Sequence, residues 1–165
     1  MVTIEYSKEK IYEILEQVKD PEIPVLSVID MGIIRDVQEI EGKIVVSITP
    51  TYSGCPAMNM IAANIKIHLA AAGYFQVDIK EVLSPAWTTD WMTEEGKRKL
   101  KEFGIAPPVR GGAENNVLFA EPTPVPCPRC ESANTELVSQ FGSTACKAMY
   151  KCLDCLEPFD YFKCH

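Results

Sequence analysis

Basic charge is scarce in this chain of 165 residues: 16 Lys and Arg stand against 23 Asp and Glu, a formal net charge of −7. The deficit runs along the whole length, 11 against 16 in residues 1–103 and 5 against 7 in residues 104–165. Neither half therefore offers the positive surface that phosphate contacts need, and nucleic acid is not expected as a ligand. Long apolar runs are missing as well. The most apolar stretch, Ile61 to Gly73, is interrupted by Asn64, Lys66 and His68 and is too short to cross a bilayer. The opening residues, MVTIEYSKEK, are polar and lack the apolar centre of a secretory signal, so a cytoplasmic protein without membrane contact is expected. No G-x-G-x-x-G phosphate loop is present, which argues against a flavin or nicotinamide site. With 47% apolar and 24% charged residues the remaining composition is that of a globular chain, not of a disordered, collagenous or coiled-coil one.

The elements can be read from periodicity. Ser7 is a suitable N-cap for a helix in which Ile11, Ile14, Leu15 and Val18 share a face, ending at Asp20-Pro21. Two strands, roughly Val28–Ile40 and Lys43–Thr49, meet at Glu41-Gly42 as an antiparallel hairpin. A helix from about Pro56 to Ala72 carries the stripe Met58, Ile61, Ile65, Leu69 and Ala72, and Gly73 stops it. A third strand holds Phe75, Val77 and Ile79, and the strand–helix–strand crossover predicts that it lies parallel to the second. A last helix spans about Thr93 to Phe103, acidic at its start and basic later, in keeping with the helix dipole. The fold class expected is a small two-layer α/β (α+β) domain with a three-stranded mixed sheet over residues 1–104. A Pro/Gly-rich linker over 105–126 and a cysteine-rich module over 127–165 follow it.

Cysteine is nearly absent before residue 127, where Cys55 stands alone, and dense after it, with six in the last 39 residues. Cys127-Pro-Arg-Cys130 and Cys152-Leu-Asp-Cys155, separated by 21 residues, are two C-x2-C turns that each aim two thiolates at one point. Together they predict a tetrahedral four-thiolate site in a C-terminal zinc ribbon. A rubredoxin-like iron site uses the same two turns and remains the competing occupant. Four thiolates on a divalent ion add −2 to a segment that is already acidic, a further argument against a nucleic-acid ribbon. Cys146, Cys164 and His165 are left over, either packed beside the site and at an ordinary terminus, or as additional metal contacts. Phe159, Tyr161 and Phe162 are expected to cover the ribbon or meet a partner.

Cys55, in Gly54-Cys55-Pro56, sits at the start of the second helix, where unpaired amides and the dipole are expected to lower its pKa and favour the thiolate. The plainer alternative is a small residue filling a tight turn. His68 is about three turns further on, so a Cys–His nucleophile pair lacks support. One thiol supplies one ligand, and a metal held there would need others from the second copy in a homodimer, from carboxylates or from a client. Asp20, Glu22 and Asp30 could supply oxygen ligands, or cap turns. Trp87 and Trp91 read as core packing or as a partner hot spot.

The segments DPEIPVLSVIDMGIIRDV, TPTYSGCPA, SPAWTTDWMT and FGSTACKAMYKCLDCLEPFDYFKCH resemble the PaaD family, which belongs with the phenylacetyl-CoA epoxidase of aerobic phenylacetate breakdown. The first domain is similar to the iron-sulfur assembly domain of SufT and cytosolic iron-sulfur targeting proteins, whose loop cysteine corresponds to Cys55. The resemblance implies an accessory protein, not an enzyme, that helps to mature a metal centre of a multicomponent oxygenase, with the epoxidase subunits as partners. The residues agree, since a di-iron site needs inward Glu and Glu-x-x-His ligands and neither histidine lies in that motif. Cys55 is then the candidate transient ligand for iron or an iron-sulfur cluster, and Cys127, Cys130, Cys152 and Cys155 hold structural Zn2+. An electron-transfer component using tail iron and a purely structural oxygenase component are the rival readings.

Overall fold

A computed structural model describes residues 6–109 and 124–163, which divide into two compact units. The first comprises residues up to Trp87 together with Trp91–Thr93, and the second comprises Thr88–Asp90 and everything from Glu94 onward. Most of the expected linker, residues 110–123, lies outside the described residues, as do Cys164 and His165.

In the first unit, helix α1 (Lys8–Leu15) starts where Ser7 Oγ accepts from the Lys10 amide at 3.3 Å. It stops sooner than the periodicity suggests, at Glu16. Val18 nevertheless stays fully buried, because the chain turns inward there and Val28 N–H donates to Val18 O. The run read as one long strand from Val28 divides. Ser27 and Asp30 cap each other's amides at 3.0 Å and Met31 N–H returns to Ser27 O, so residues 28–33 form turns. Strand β1 is confined to Ile34–Ile40. Gly32 in that turn adopts φ +67, and a Cβ there would lie 2.0 Å from Trp91 O, so both the backbone angle and the space demand glycine.

Strand β2 (Lys43–Ile48) pairs antiparallel with β1 through a Glu41-Gly42 turn in which both residues have positive φ, 51 and 78. Helix α2 (Ala57–Ala71) then crosses over to β3 (Val77–Glu81), which pairs parallel with β2, giving a mixed sheet of order β1-β2-β3. Ile44, Val46 and Ile48 face the helices, and Ile11, Leu15, Ile61, Ile65 and Leu69 close over them, each at most 4% exposed. Burial of each such side chain is worth about 1.5–3 kcal/mol and outweighs the modest helix propensity of the isolated segments. Phe75, expected on the third strand, precedes it and is 82% exposed, because Tyr74 takes the interior position after the end of α2. Among the described residues no helix is long and apolar enough to cross a membrane.

In the second unit, α3 (Glu94–Phe103) is held on its surface by Arg98, which pairs with Glu95 and Glu102. Its sheet has the order β4-β7-β6-β5, made of β4 (Ile105–Ala106), β5 (Thr135–Ser139), β6 (Lys147–Cys152) and β7 (Pro158–Phe162). Residues 105 and 106, read as linker, thus form a short strand parallel to β7, because Ala106 is small and apolar enough to enter the ribbon core. That core holds Ala106, Val125, Ala148, Tyr150 and Phe159 beside Cys127 and Cys152, so the module owns an apolar cluster as well as its thiols. The Tyr150 ring stacks on Phe159 at 6.0 Å and meets Tyr161 edge-on at 5.6 Å. Phe159 and Phe162 are buried and cover the ribbon from within.

Candidate functional site

The thiols of Cys127, Cys130, Cys152 and Cys155 converge within 4.8 Å of one another. Each pair comes from a tight knuckle. The residue after the second cysteine takes a left-handed turn in both, Glu131 at φ 64 and Leu156 at φ 63. Cys127 Sγ lies 3.7 Å from Cys155 Sγ, and Cys130 Sγ lies 3.5 Å from Cys152 Sγ. Zinc–sulfur bonds of about 2.3 Å in a tetrahedron place sulfurs about 3.8 Å apart, whereas a disulfide requires about 2.05 Å. The spacing fits a shared metal ion and not crosslinks. Backbone and side chains support the thiol set. Cys155 N–H donates to Cys152 Sγ at 3.5 Å and, with burial acting the other way, holds that thiol down to about 7. Asp154 binds the Ser132 hydroxyl and Asn134 Nδ2, and Arg129 meets Glu157 at 2.6 Å, so side chains of one knuckle tie to those of the other. Sequence spacing singled out the four thiols that the fold brings together. It missed these cross-knuckle contacts, for which the only signal was the density of Ser, Asn and Asp in the loops.

Cys146 stands apart from this group. It is buried, and its Sγ lies 3.0 Å from Thr144 Oγ1.

Cys55 lies in the turn ahead of α2 and is partly exposed. Pro56, not Cys55, takes the cap position, with no side-chain cap bond. Cys55 N–H donates to Tyr52 O at 3.3 Å, and Met58 N–H donates to Cys55 O at 3.2 Å. The expected acidification of the thiol is overturned. Burial pushes it above the ordinary thiol value, against hydrogen bonds from the Ala57 amide and Tyr52, and the charges of Glu22 and Asp20 push the same way. Cys55 precedes the cap residue, and the acidic turn beside it favours the protonated form or a bound cation.

Asp20 and Asp30 serve as turn caps. Asp20 Oδ1 accepts from the amides of Glu22 and Ile23 at 2.7 and 2.8 Å. Asp30 Oδ2 accepts from the Ser27 amide, and Asp30 Oδ1 accepts from the Thr93 hydroxyl at 3.3 Å. Trp87 is core, its Nε1 donating to Met31 O at 2.9 Å. Trp91 lies under the Arg35 guanidinium, 3.6 Å from its ring centre. The PAWTTDWM segment thereby locks the turn at residues 28–33 instead of displaying both rings.

Residues 8–79 match a family model described as iron-sulfur cluster assembly protein, and residues 112–163 match the PaaD zinc beta ribbon domain. The chain is 46% identical over 155 residues to an Escherichia coli protein named as a component of 1,2-phenylacetyl-CoA epoxidase, covering 94% of this chain and 92% of that one. It is 34% identical over 96 residues to an Fe-S protein maturation auxiliary factor of Porphyromonas gingivalis, covering 57% of this chain and 90% of the relative. A crystal structure of a domain of unknown function from Bacillus anthracis superposes with a TM-score of 0.52 at 28% identity, over 56% of this chain and 90% of that one. With its cysteine-bearing α/β unit and four-thiol ribbon, the chain belongs to the PaaD family, in which an iron-sulfur cluster assembly domain is followed by a zinc beta ribbon.

Proposed function

We propose that this protein is an accessory factor that helps to assemble an iron or iron-sulfur centre of a phenylacetyl-CoA epoxidase, with Cys55 as the transient ligand. The observation that carries the reading is the partly exposed Cys55 thiol in an acidic turn, within a domain of the iron-sulfur assembly family. A thiol held protonated binds no metal until the metal displaces the proton, and a single sulfur grips weakly, which suits a carrier that must release its load. The remaining ligands come from the client or from a second copy of the chain. The relatives named for iron-sulfur protein maturation and for the epoxidase support this reading.

In the ribbon, Cys127, Cys130, Cys152 and Cys155 hold zinc. Bound there, zinc supplies folding energy and no redox chemistry. The ribbon serves to present the chain to its partners.

The test is co-expression of the oxygenase components with the wild-type protein or with Cys55→Ser. The variant is expected to fold and to leave the epoxidase short of iron, measured by metal analysis of the purified complex. Full metal content beside the variant would overturn the assignment. The purified protein itself should be colourless; a red protein would place iron in the ribbon and favour electron transfer.

A further inference from the structure

Strand β3 is the end strand of the first sheet, with β2 on one side and no strand on the other among the described residues. Ile44 N–H donates to Gln76 O at 2.9 Å, and Val82 N–H donates to Ile48 O at 2.8 Å. Backbone groups alternate sides along a strand, so residues 76, 78, 80 and 82 bond β2, and Val77, Ile79 and Glu81 turn their amides and carbonyls outward. Free edges of this kind are templates for another strand unless the protein blocks them. Here no proline or bulge interrupts β3, and its pairing with β2 is regular from Val77 to Glu81.

We propose that a second copy of this chain pairs with β3 in antiparallel register about Ile79. The side chains select that register. Outward-facing groups must meet outward-facing groups, which permits only registers in which 77, 79 and 81 oppose one another. A shift of two residues in one direction sets Asp78 against the other copy's Asp78. A shift in the other direction sets Lys80 against Lys80. Centring on Ile79 sets Asp78 against Lys80 twice, by symmetry, and joins Ile79 to Ile79 between them. Both charged side chains are exposed and lie on the face away from α2, where Asp78 also meets Lys43 of β2 at 3.0 Å. Opposed charges across strands stabilise a pair and like charges destabilise it by similar amounts. A symmetric interface of this type is self-complementary and closes after two copies.

The other face of the edge is consistent with a second copy. Val77 and Ile79 are only half-buried on the side that carries α2. There a groove of about 430 Å³ opens between α2 and β3, lined by the apolar Ile48, Met58, Ala62, Ala63 and Ile79 together with the polar Asn59, Lys66 and Glu81. In the paired sheet the groove meets the same apolar residues of the other copy, and the small Ala62 and Ala63 leave room for it. The inference stands whether or not Cys55 carries iron, since it uses no residue of that loop.

Charge reversal tests it on the full chain, read by sedimentation equilibrium. Wild type is expected to dimerise. Lys80→Glu alone sets Asp against Glu, and Asp78→Lys alone sets Lys against Lys; each is expected to raise the dimer dissociation constant about tenfold or more. An equimolar mixture of the two variants restores opposite charges at both pairs and should recover a dimer containing one of each. Both positions are exposed, and far-ultraviolet circular dichroism checks that the fold is kept. Wild type that stays monomeric at about 100 µM would overturn the proposal. So would either variant dimerising as wild type does, or a mixture that remains monomeric.

Discussion

The chemistry of Cys55 is decided by surroundings that its sequence neighbours do not disclose. A helix start ordinarily lowers a thiol's pKa, but here desolvation and the acidic pair Asp20 and Glu22 outweigh the Ala57 and Tyr52 hydrogen bonds. The sign is definite: burial penalises the thiolate, so the thiol is protonated near neutrality and ionises only above the ordinary thiol range. Iodoacetamide labelling of Cys55, followed on its own peptide by mass spectrometry, should therefore be slower at neutral pH than labelling of a free model thiol. Its rate should climb at a higher pH than the model's. Replacing Glu22 and Asp20 by their amides removes both repulsions and should bring the rise to lower pH; an unchanged profile would leave burial alone responsible.

Single elements carry their own signatures. The hairpin joining β1 and β2 needs positive φ at Glu41 and Gly42, at 51 and 78, and only the glycine accepts that without strain. Asparagine tolerates the left-handed region better than glutamate does. Glu41→Asn is therefore expected to stabilise the protein by about 0.5–1 kcal/mol, read as a higher urea midpoint with unchanged slope. The crossover α2 is set by the same logic on a larger unit. Met58, Ile61, Ile65 and Leu69 were visible as a stripe, and the strand after them lies parallel to β2 because the helix returns the chain to the end of the sheet where β2 began.

Across the molecule, two units with separate cores imply two separable stabilities. Both tryptophans belong to the first unit, Trp87 buried and Trp91 beneath Arg35. Tyr150 and Tyr161 belong to the ribbon. The ribbon's apolar cluster is small, and bound zinc contributes apparent folding energy of about 10–16 kcal/mol in such modules. With zinc in the ribbon as proposed, a strong chelator should abolish the near-ultraviolet tyrosine signal of the ribbon while tryptophan emission stays native. A red shift of that emission at the same chelator concentration would show that the first unit also depends on the metal.

Elements whose pattern is local were legible from the order of residues: the Ser7 cap, the alternation of Ile44, Val46 and Ile48, the Glu41-Gly42 turn, and the two C-x2-C knuckles. Each is specified by residues close along the chain, where period and spacing are physical constraints. Features that depend on distant neighbours emerged only from the packed fold. Ser27 and Asp30, held by Thr93, convert half of an expected strand into turns. Ala106 joins a sheet formed by β7, more than fifty residues later in the chain. The acidic turn at Asp20 and Glu22 comes close enough to Cys55 to reinforce the reversal of its expected shift. Hydrophobic period reports which face is buried, but burial, charge proximity and strand partners are properties of packed space, and those fix the chemistry of a lone sulfur.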